Sequence, residues 1–249
     1  MLCRILPAAL AAVALPAGAA EPLAADSSSM GFGLELAALE RSLDVVAGGT
    51  RSSADADGSA GGLYGYVQRG AAFRAEGRLL RGSLDYDAGG QPSSETVTYG
   101  ELRATWGAAF ARRTRVYAGL GVEQLDGDSP FGSGDGTMRS AYVPFGIAQA
   151  GDYAPGWRAL VTLEGRYLVD GLDEVGGIPG LGSAEFERSG GWGAALSVRF
   201  RSPAADVEIQ PFLTYMAPAD SETENVGGTD ARLEDAEHVA GGVRVTWVH

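Results

Sequence analysis

Residues 113–123, Arg113-Thr114-Arg115-Val116-Tyr117-Ala118-Gly119-Leu120-Gly121-Val122-Glu123, decide the fold. Val116, Ala118, Leu120 and Val122 fall on one parity, and Arg115, Tyr117, Gly119, Gly121 and Glu123 on the other. Successive side chains of a β-strand point to opposite faces, so this stretch is a strand with one apolar and one charged face. The same alternation recurs downstream. Ala159, Val161, Leu163, Gly165 and Tyr167 oppose Arg158, Thr162, Glu164 and Arg166. Trp192, Ala194, Leu196, Val198 and Phe200 oppose Gly193, Ser197, Arg199 and Arg201. Val207, Ile209, Leu213 and Tyr215 oppose Glu208, Gln210 and Thr214, and Val243, Val245 and Trp247 oppose Arg244 and Thr246. No apolar run after the leader is long enough for a membrane helix.

Alternation alone fits a soluble sheet, whose apolar face meets a core, or a membrane barrel, whose apolar face meets lipid. Two further features favour the barrel. Connections alternate long (219–236, 172–190, 126–138) and short (203–205, 151–156, 110–112), as in barrels with short turns on one side of a membrane. Aromatic residues gather at strand ends. Trp106, Phe110, Trp157, Phe200 and Trp247 lie toward one end, and Trp192, Tyr215, Tyr99 and Tyr86 toward the other. Such rings anchor a barrel at the two interfaces.

The sequence therefore predicts an all-β chain: a closed antiparallel transmembrane β-barrel. Strands are expected at about 32–46, 62–74, 78–87, 95–109, 113–125, 139–150, 157–171, 191–202, 206–218 and 237–249. A tight turn at Glu76-Gly77 divides the third of these from the second. Ten strands is the count adopted. Eight is the alternative if 62–87 is one span and Leu36, Leu39, Glu40 and Leu43 mark a helical turn instead.

Composition narrows the function. The 249 residues carry a net charge of −13, and all 19 basic residues are Arg. That balance excludes general nucleic-acid binding. The single Cys, Cys3, and the two His, His238 and His249, leave no disulfide, zinc cluster or multi-His site. Arg4, the apolar stretch Ile5–Leu15 and the small residues Ala17–Ala20 read as a cleaved signal peptide over 1–20. Residues 21–249 are then the barrel domain.

These features together resemble the small bacterial outer-membrane β-barrel proteins. The stretch Arg139-Ser140-Ala141-Tyr142-Val143-Pro144-Phe145-Gly146 is similar to a strand start in such barrels. The resemblance implies residence in the bacterial outer membrane, contact with its lipid, a monomeric state, and recognition of the C-terminal strand by the barrel-assembly machinery. Val245-Thr246-Trp247-Val248-His249 departs from the terminal Phe common in these families.

The lumen face is expected to carry Glu101, Arg103, Arg115, Glu123, Arg158, Glu164, Arg166, Arg199, Glu208 and Arg244. Arg and Glu on neighbouring strands pair well, so these should form a plug of ion pairs. The competing reading is a narrow pore for small solutes. The outer loops (47–60, 87–95, 126–138, 171–190, 217–237) hold 18 acidic residues and three Arg. Solvation explains them, and weak divalent-cation binding at Asp126-Gly127-Asp128-Ser129 is the functional alternative. His238, near Glu234, Asp235 and Glu237, is the one candidate general base, with Ser140 or Ser221 as a conceivable nucleophile. A loop-edge His is usually solvated, so no catalytic, cofactor or metal site is assigned. The overall expectation is a structural or surface-interaction barrel, with a surface hydrolase as the remaining class.

Overall fold

The computed structural model describes residues 28–249 apart from 89, 90, 130, 132, 133 and 203; the expected signal peptide lies outside them. The strands are β1 Ser28–Ala47, β2 Thr50–Arg69, β3 Phe73–Ala88, β4 Gln91–Ala111, β5 Thr114–Asp128 and β6 Asp135–Ala154. They continue as β7 Trp157–Ile178, β8 Gly182–Arg188, β9 Gly191–Ser202, β10 Val207–Pro218, β11 Glu224–Val226 and β12 Thr229–Val248. Antiparallel pairing runs β1 to β7, then β9, β10 and β12, and β12 pairs back onto β1. The ring therefore closes with ten strands, and β8 and β11 are short hairpin partners of β7 and β12. Closure removes the sheet edges that a bilayer cannot satisfy.

Met30, Phe32, Leu34 and Leu36 on β1 point outward and are more than half exposed. Leu63, Val67, Leu79, Leu102, Leu120, Val122 and Leu163 continue this band around the barrel. An exposed apolar belt on a closed ring is the surface that lipid covers. Trp106, Phe110, Trp192 and Trp247 stand on it exposed, while Trp157 and Phe200 are half-buried and the Phe200 ring packs edge-on against Tyr153 at 4.9 Å.

The strands are much longer than the expected spans. The 20 residues of β1 reach roughly 66 Å at about 3.3 Å per residue, whereas a tilted span needs only 9–11 or so. The outer halves stand clear of the bilayer, and there the two faces exchange character. On β1, outward Leu36 gives way to outward Glu40, Ser42 and Asp44, while inward Glu35 gives way to inward Leu43 and Val45. Leu43, Val45, Val175, Phe186, Ala231 and Leu233 form one buried outer core; Leu80, Leu84, Val97, Leu125 and Met138 belong to another.

Two expectations are corrected. Glu76-Gly77 is not a turn: it lies mid-strand in β3, opposite Tyr66 and Gly65. The chain reverses instead at Gly70-Ala71-Ala72, where Gly70 takes φ 56°, a left-handed conformation that glycine adopts without steric cost. The segments 47–60 and 87–95 are not long loops either. Thr50–Ala60 belongs to β2, and Gly48 and Gly49 alone, both at positive φ, turn the chain from β1. Asp55, Asp57, Asp87 and Glu95 thus project from strands rather than from loops.

Candidate functional site

The inward face of the membrane band is built from side chains two residues apart on facing strands. Nine of them make one chain of alternating sign. Arg244 Nε donates to Glu35 at 2.6 Å, and Arg78 Nη1 to the same carboxylate at 2.8 Å. Arg78 Nε donates to Glu101 at 2.5 Å, and Arg166 Nη2 approaches Glu101 at 3.3 Å. Arg166 Nε donates to Glu164 at 2.9 Å and Arg103 Nη1 to the same group at 2.6 Å. Arg103 continues to Glu76, which also accepts from Arg74 Nε at 2.9 Å. The chain thus joins β12, β1, β3, β4 and β7 across the lumen.

Tyrosines supply donors to the same carboxylates. Tyr64 donates to Glu76 at 2.7 Å, Tyr117 to Glu164 at 2.8 Å, and Tyr142 to Glu101. Aromatic faces cover the guanidinium groups: Arg244 lies 4.2 Å from the Phe212 ring centre and Arg166 4.7 Å from that of Tyr142. Such stacking suits the flat, weakly hydrated guanidinium. Little room is left. The cavity among Tyr64, Glu101, Arg103, Glu164 and Arg244 measures about 30 Å³, and the one above it, beside Leu80, Leu84 and Met138, also about 30 Å³. Each holds about one water molecule.

Of the expected lumen residues, Glu101, Arg103, Glu164, Arg166 and Arg244 meet in this chain. Arg199 and Glu208 form a separate pair at 3.6 Å, joined by Arg201 at 4.0 Å and by the Tyr66 hydroxyl at 2.9 Å. Glu123 faces His238 at 3.6 Å and accepts from Tyr99 at 2.7 Å. Arg115 is inward and buried, but neither its Nε nor its Nη2 has a hydrogen-bond partner among the described residues. The ion-pair expectation fails for it: Glu76 and Glu208 are paired with other arginines.

Sequence reasoning missed Glu35, Arg74, Glu76 and Arg78. The turn placed at Glu76-Gly77 concealed the period-two run Arg74, Glu76, Arg78; Glu35 lay unnoticed opposite Leu34 and Leu36. Tyr99 and Tyr86, expected at an interface, are inward and buried. His238 is likewise corrected. It is no solvated loop-edge residue but sits inside the lumen on β12, opposite Arg41.

Outside the band, buried Arg188 pairs with Asp173, and Arg41 reaches the same carboxylate at 3.6 Å. Burial, with Asp173 opposing it, holds the Arg188 guanidinium pKa below its ordinary value. At the outer tip, Asp126 accepts both close contacts from Gln124, and Ser129 donates to the Gly176 carbonyl. No group of three or more His, Cys, Asp or Glu placed to hold a metal occurs among the described residues.

A closed ten-strand ring with an apolar exterior and an ion-paired interior has the fold of the outer-membrane β-barrel proteins. No protein-family model matches the chain, and no curated protein matches it in sequence. Solved structures do. The outer membrane protease OmpT from Escherichia coli aligns over 90% of this chain and 97% of its own, with a TM-score of 0.54 and 8% identity. The outer membrane protein OprG from Pseudomonas aeruginosa aligns over 91% and 99%, with a TM-score of 0.39 and 10% identity. The β domain of the Bordetella autotransporter BrkA aligns over 85% and 98%, with a TM-score of 0.44 and 9% identity. At 8% identity the likeness to OmpT is one of fold alone.

Proposed function

We propose that this protein is a monomeric, non-conducting barrel of the bacterial outer membrane, with a structural or surface-interaction role. The observation that carries the reading is the filled lumen: a transverse chain of ion pairs below and an apolar core above leave cavities of about 30 Å³. The short turns share one side with Ser28 and His249, the ends of the described chain; that side is taken as periplasmic, and the long hairpins stand outside. Their outward faces carry Glu40, Asp55, Asp57, Asp85 and Asp87, an acidic skirt above the lipid. The C-terminal strand, with Trp247 exposed, is the segment offered to the assembly machinery. A non-catalytic role is supported by the placement of His238, enclosed between Glu123 and Arg41 rather than on the outer rim.

Conductance of the purified barrel in a planar bilayer tests this. The expected record is a flat baseline. Large, steady current steps would overturn the closed lumen in favour of a solute pore.

A further inference from the structure

The inner mouth of the lumen, at the end of the short turns, holds more positive charge than its carboxylates match. Arg74, Arg115 and Arg199 enter it from β3, β5 and β9. Arg74 and Arg199 flank the Tyr66 ring at 3.8 and 5.4 Å; Arg74 bonds to Glu76 at 2.9 Å, whereas Arg199 Nε lies 3.6 Å from Glu208 and makes no hydrogen bond among the described residues. Arg115 Nε and Nη2 are hydrogen-bonded to no carboxylate among the described residues, although Arg115 is only 8% exposed; Arg74 and Arg199 act on it as like charges, and Glu76, bonded to other arginines, as an opposite one.

The identity of the unmatched atoms is informative. Nε and Nη2 lie on one edge of the guanidinium, with their N–H bonds parallel, and both lack acceptors among the described residues. That edge is the fork that accepts two oxygens of one carboxylate or phosphate. Gly107 lies against it: a Cβ there would come 2.5 Å from the Arg115 Nε and 2.6 Å from the Val116 carbonyl oxygen, so a side chain at this position would crowd the fork. Water can occupy donors but offsets no charge, and an unmatched buried cation is costly.

We propose that the Arg115 fork, flanked by Arg74 and Arg199, binds an oxyanion that enters from the inner side and presents two coplanar oxygens. A carboxylate and a phosphate share this chemistry.

The test uses the whole barrel in maltoside micelles, with the arginine Nε–H resonances followed by NMR. Inorganic phosphate and acetate are added separately at constant ionic strength. The Arg115 resonance should shift and saturate, and those of the flanking Arg74 and Arg199 should follow it. Saturation by acetate alone assigns a carboxylate, and saturation by phosphate alone a phosphate. The flanking Arg74 and Arg199 resonances report on the variants: Arg115→Gln should abolish their anion-dependent shift, and Arg115→Lys, which retains the charge without the fork, should show it with at least tenfold weaker affinity while circular dichroism shows a folded barrel. A shift that never saturates with either anion, or equal affinity in Arg115→Lys, overturns the proposal.

Discussion

Replacing Glu164 by Gln removes one charge from the middle of the lumen chain and changes its shape hardly at all. The carboxylate accepts from Arg103 Nη1 at 2.6 and 2.7 Å, from Arg166 Nε at 2.9 Å and from the Tyr117 hydroxyl at 2.8 Å. Its side chain is 2% exposed. The amide keeps one acceptor oxygen and turns an NH2 toward two guanidinium groups, so donor meets donor. Hydrogen bonds to a charged group contribute about 1.5–3 kcal/mol each, and breaking one side of a buried ion pair costs about 3–5 kcal/mol. Arg103 retains Glu76 and Arg166 retains Glu101, which places the expected loss near the lower bound, about 3 kcal/mol.

Reversible urea unfolding from lipid vesicles, followed by tryptophan fluorescence, measures this loss. A second variant fixes its cause. If the penalty comes from stranded cations, Glu164→Gln combined with Arg103→Met should recover part of it, because one stranded cation is then gone. A change within about 0.5 kcal/mol for Glu164→Gln would refute the account, since only surface substitutions are normally so mild. A double variant whose losses simply add would refute it equally, because groups in one network should couple.

Two more outcomes are expected. Leu120→Arg, at a position 63% exposed within the apolar belt, should cost about 2–4 kcal/mol in unfolding from bilayers, and Ser53→Arg, outward on β2 beside Asp44, close to nothing; equal costs would displace the belt. At the outer end, the hydrogen-bonded neighbour Asp128 holds the Glu95 carboxyl above its ordinary range. The folded state thus binds that proton more tightly than the unfolded chain, and this stabilisation is lost as pH rises through the raised value. Glu95→Gln should slow hydrogen exchange in the outer part of β4 at neutral pH and make no difference below about pH 4, where the carboxyl is protonated in both states. Faster exchange in the variant at neutral pH would contradict the sign.

Legibility in the sequence followed the bilayer. Wherever lipid demands apolar residues on one face, as at Val116–Val122 or Val243–Trp247, parity gave both the strand and its outward side. Beyond the lipid that rule lapses. Ser52–Asp57 alternates small inward Ala54 and Ala56 with outward Asp55 and Asp57, a pattern weak in hydrophobicity and easily taken for a loop. Elsewhere the period itself breaks. On β7 the inward set runs Glu164, Arg166, Leu168 and then Gly171, Asp173, Val175, because the register slips between Leu168 and Asp170. On β12 it slips near Asp235, which takes φ 46°, so inward His238 is followed by inward Leu233. A bulge adds one residue to a strand and exchanges its faces, and no single-parity reading survives it. Arg115 shows the remaining limit: parity places it inward, but only the register of ten strands shows which carboxylates stand at its height.

The exchange of faces also explains why the lumen charges form a chain rather than scattered pairs. Where Leu80, Leu84, Leu125 and Met138 fill the barrel above the network, water cannot reach the charges from the outer side. With water excluded, each charge interacts more strongly and each unmatched one costs more. An isolated pair leaves lone pairs and N–H groups unused. A carboxylate shared by two guanidinium groups, and a guanidinium shared by two carboxylates, uses nearly all of them. That sharing is what Glu35, Glu101, Glu164 and Glu76 do with Arg78, Arg166 and Arg103. Strict alternation is required only where solvent is shut out. At the inner mouth the Nε and Nη2 of Arg115 are buried without an acceptor among the described residues, and an oxyanion bound there would complete the set.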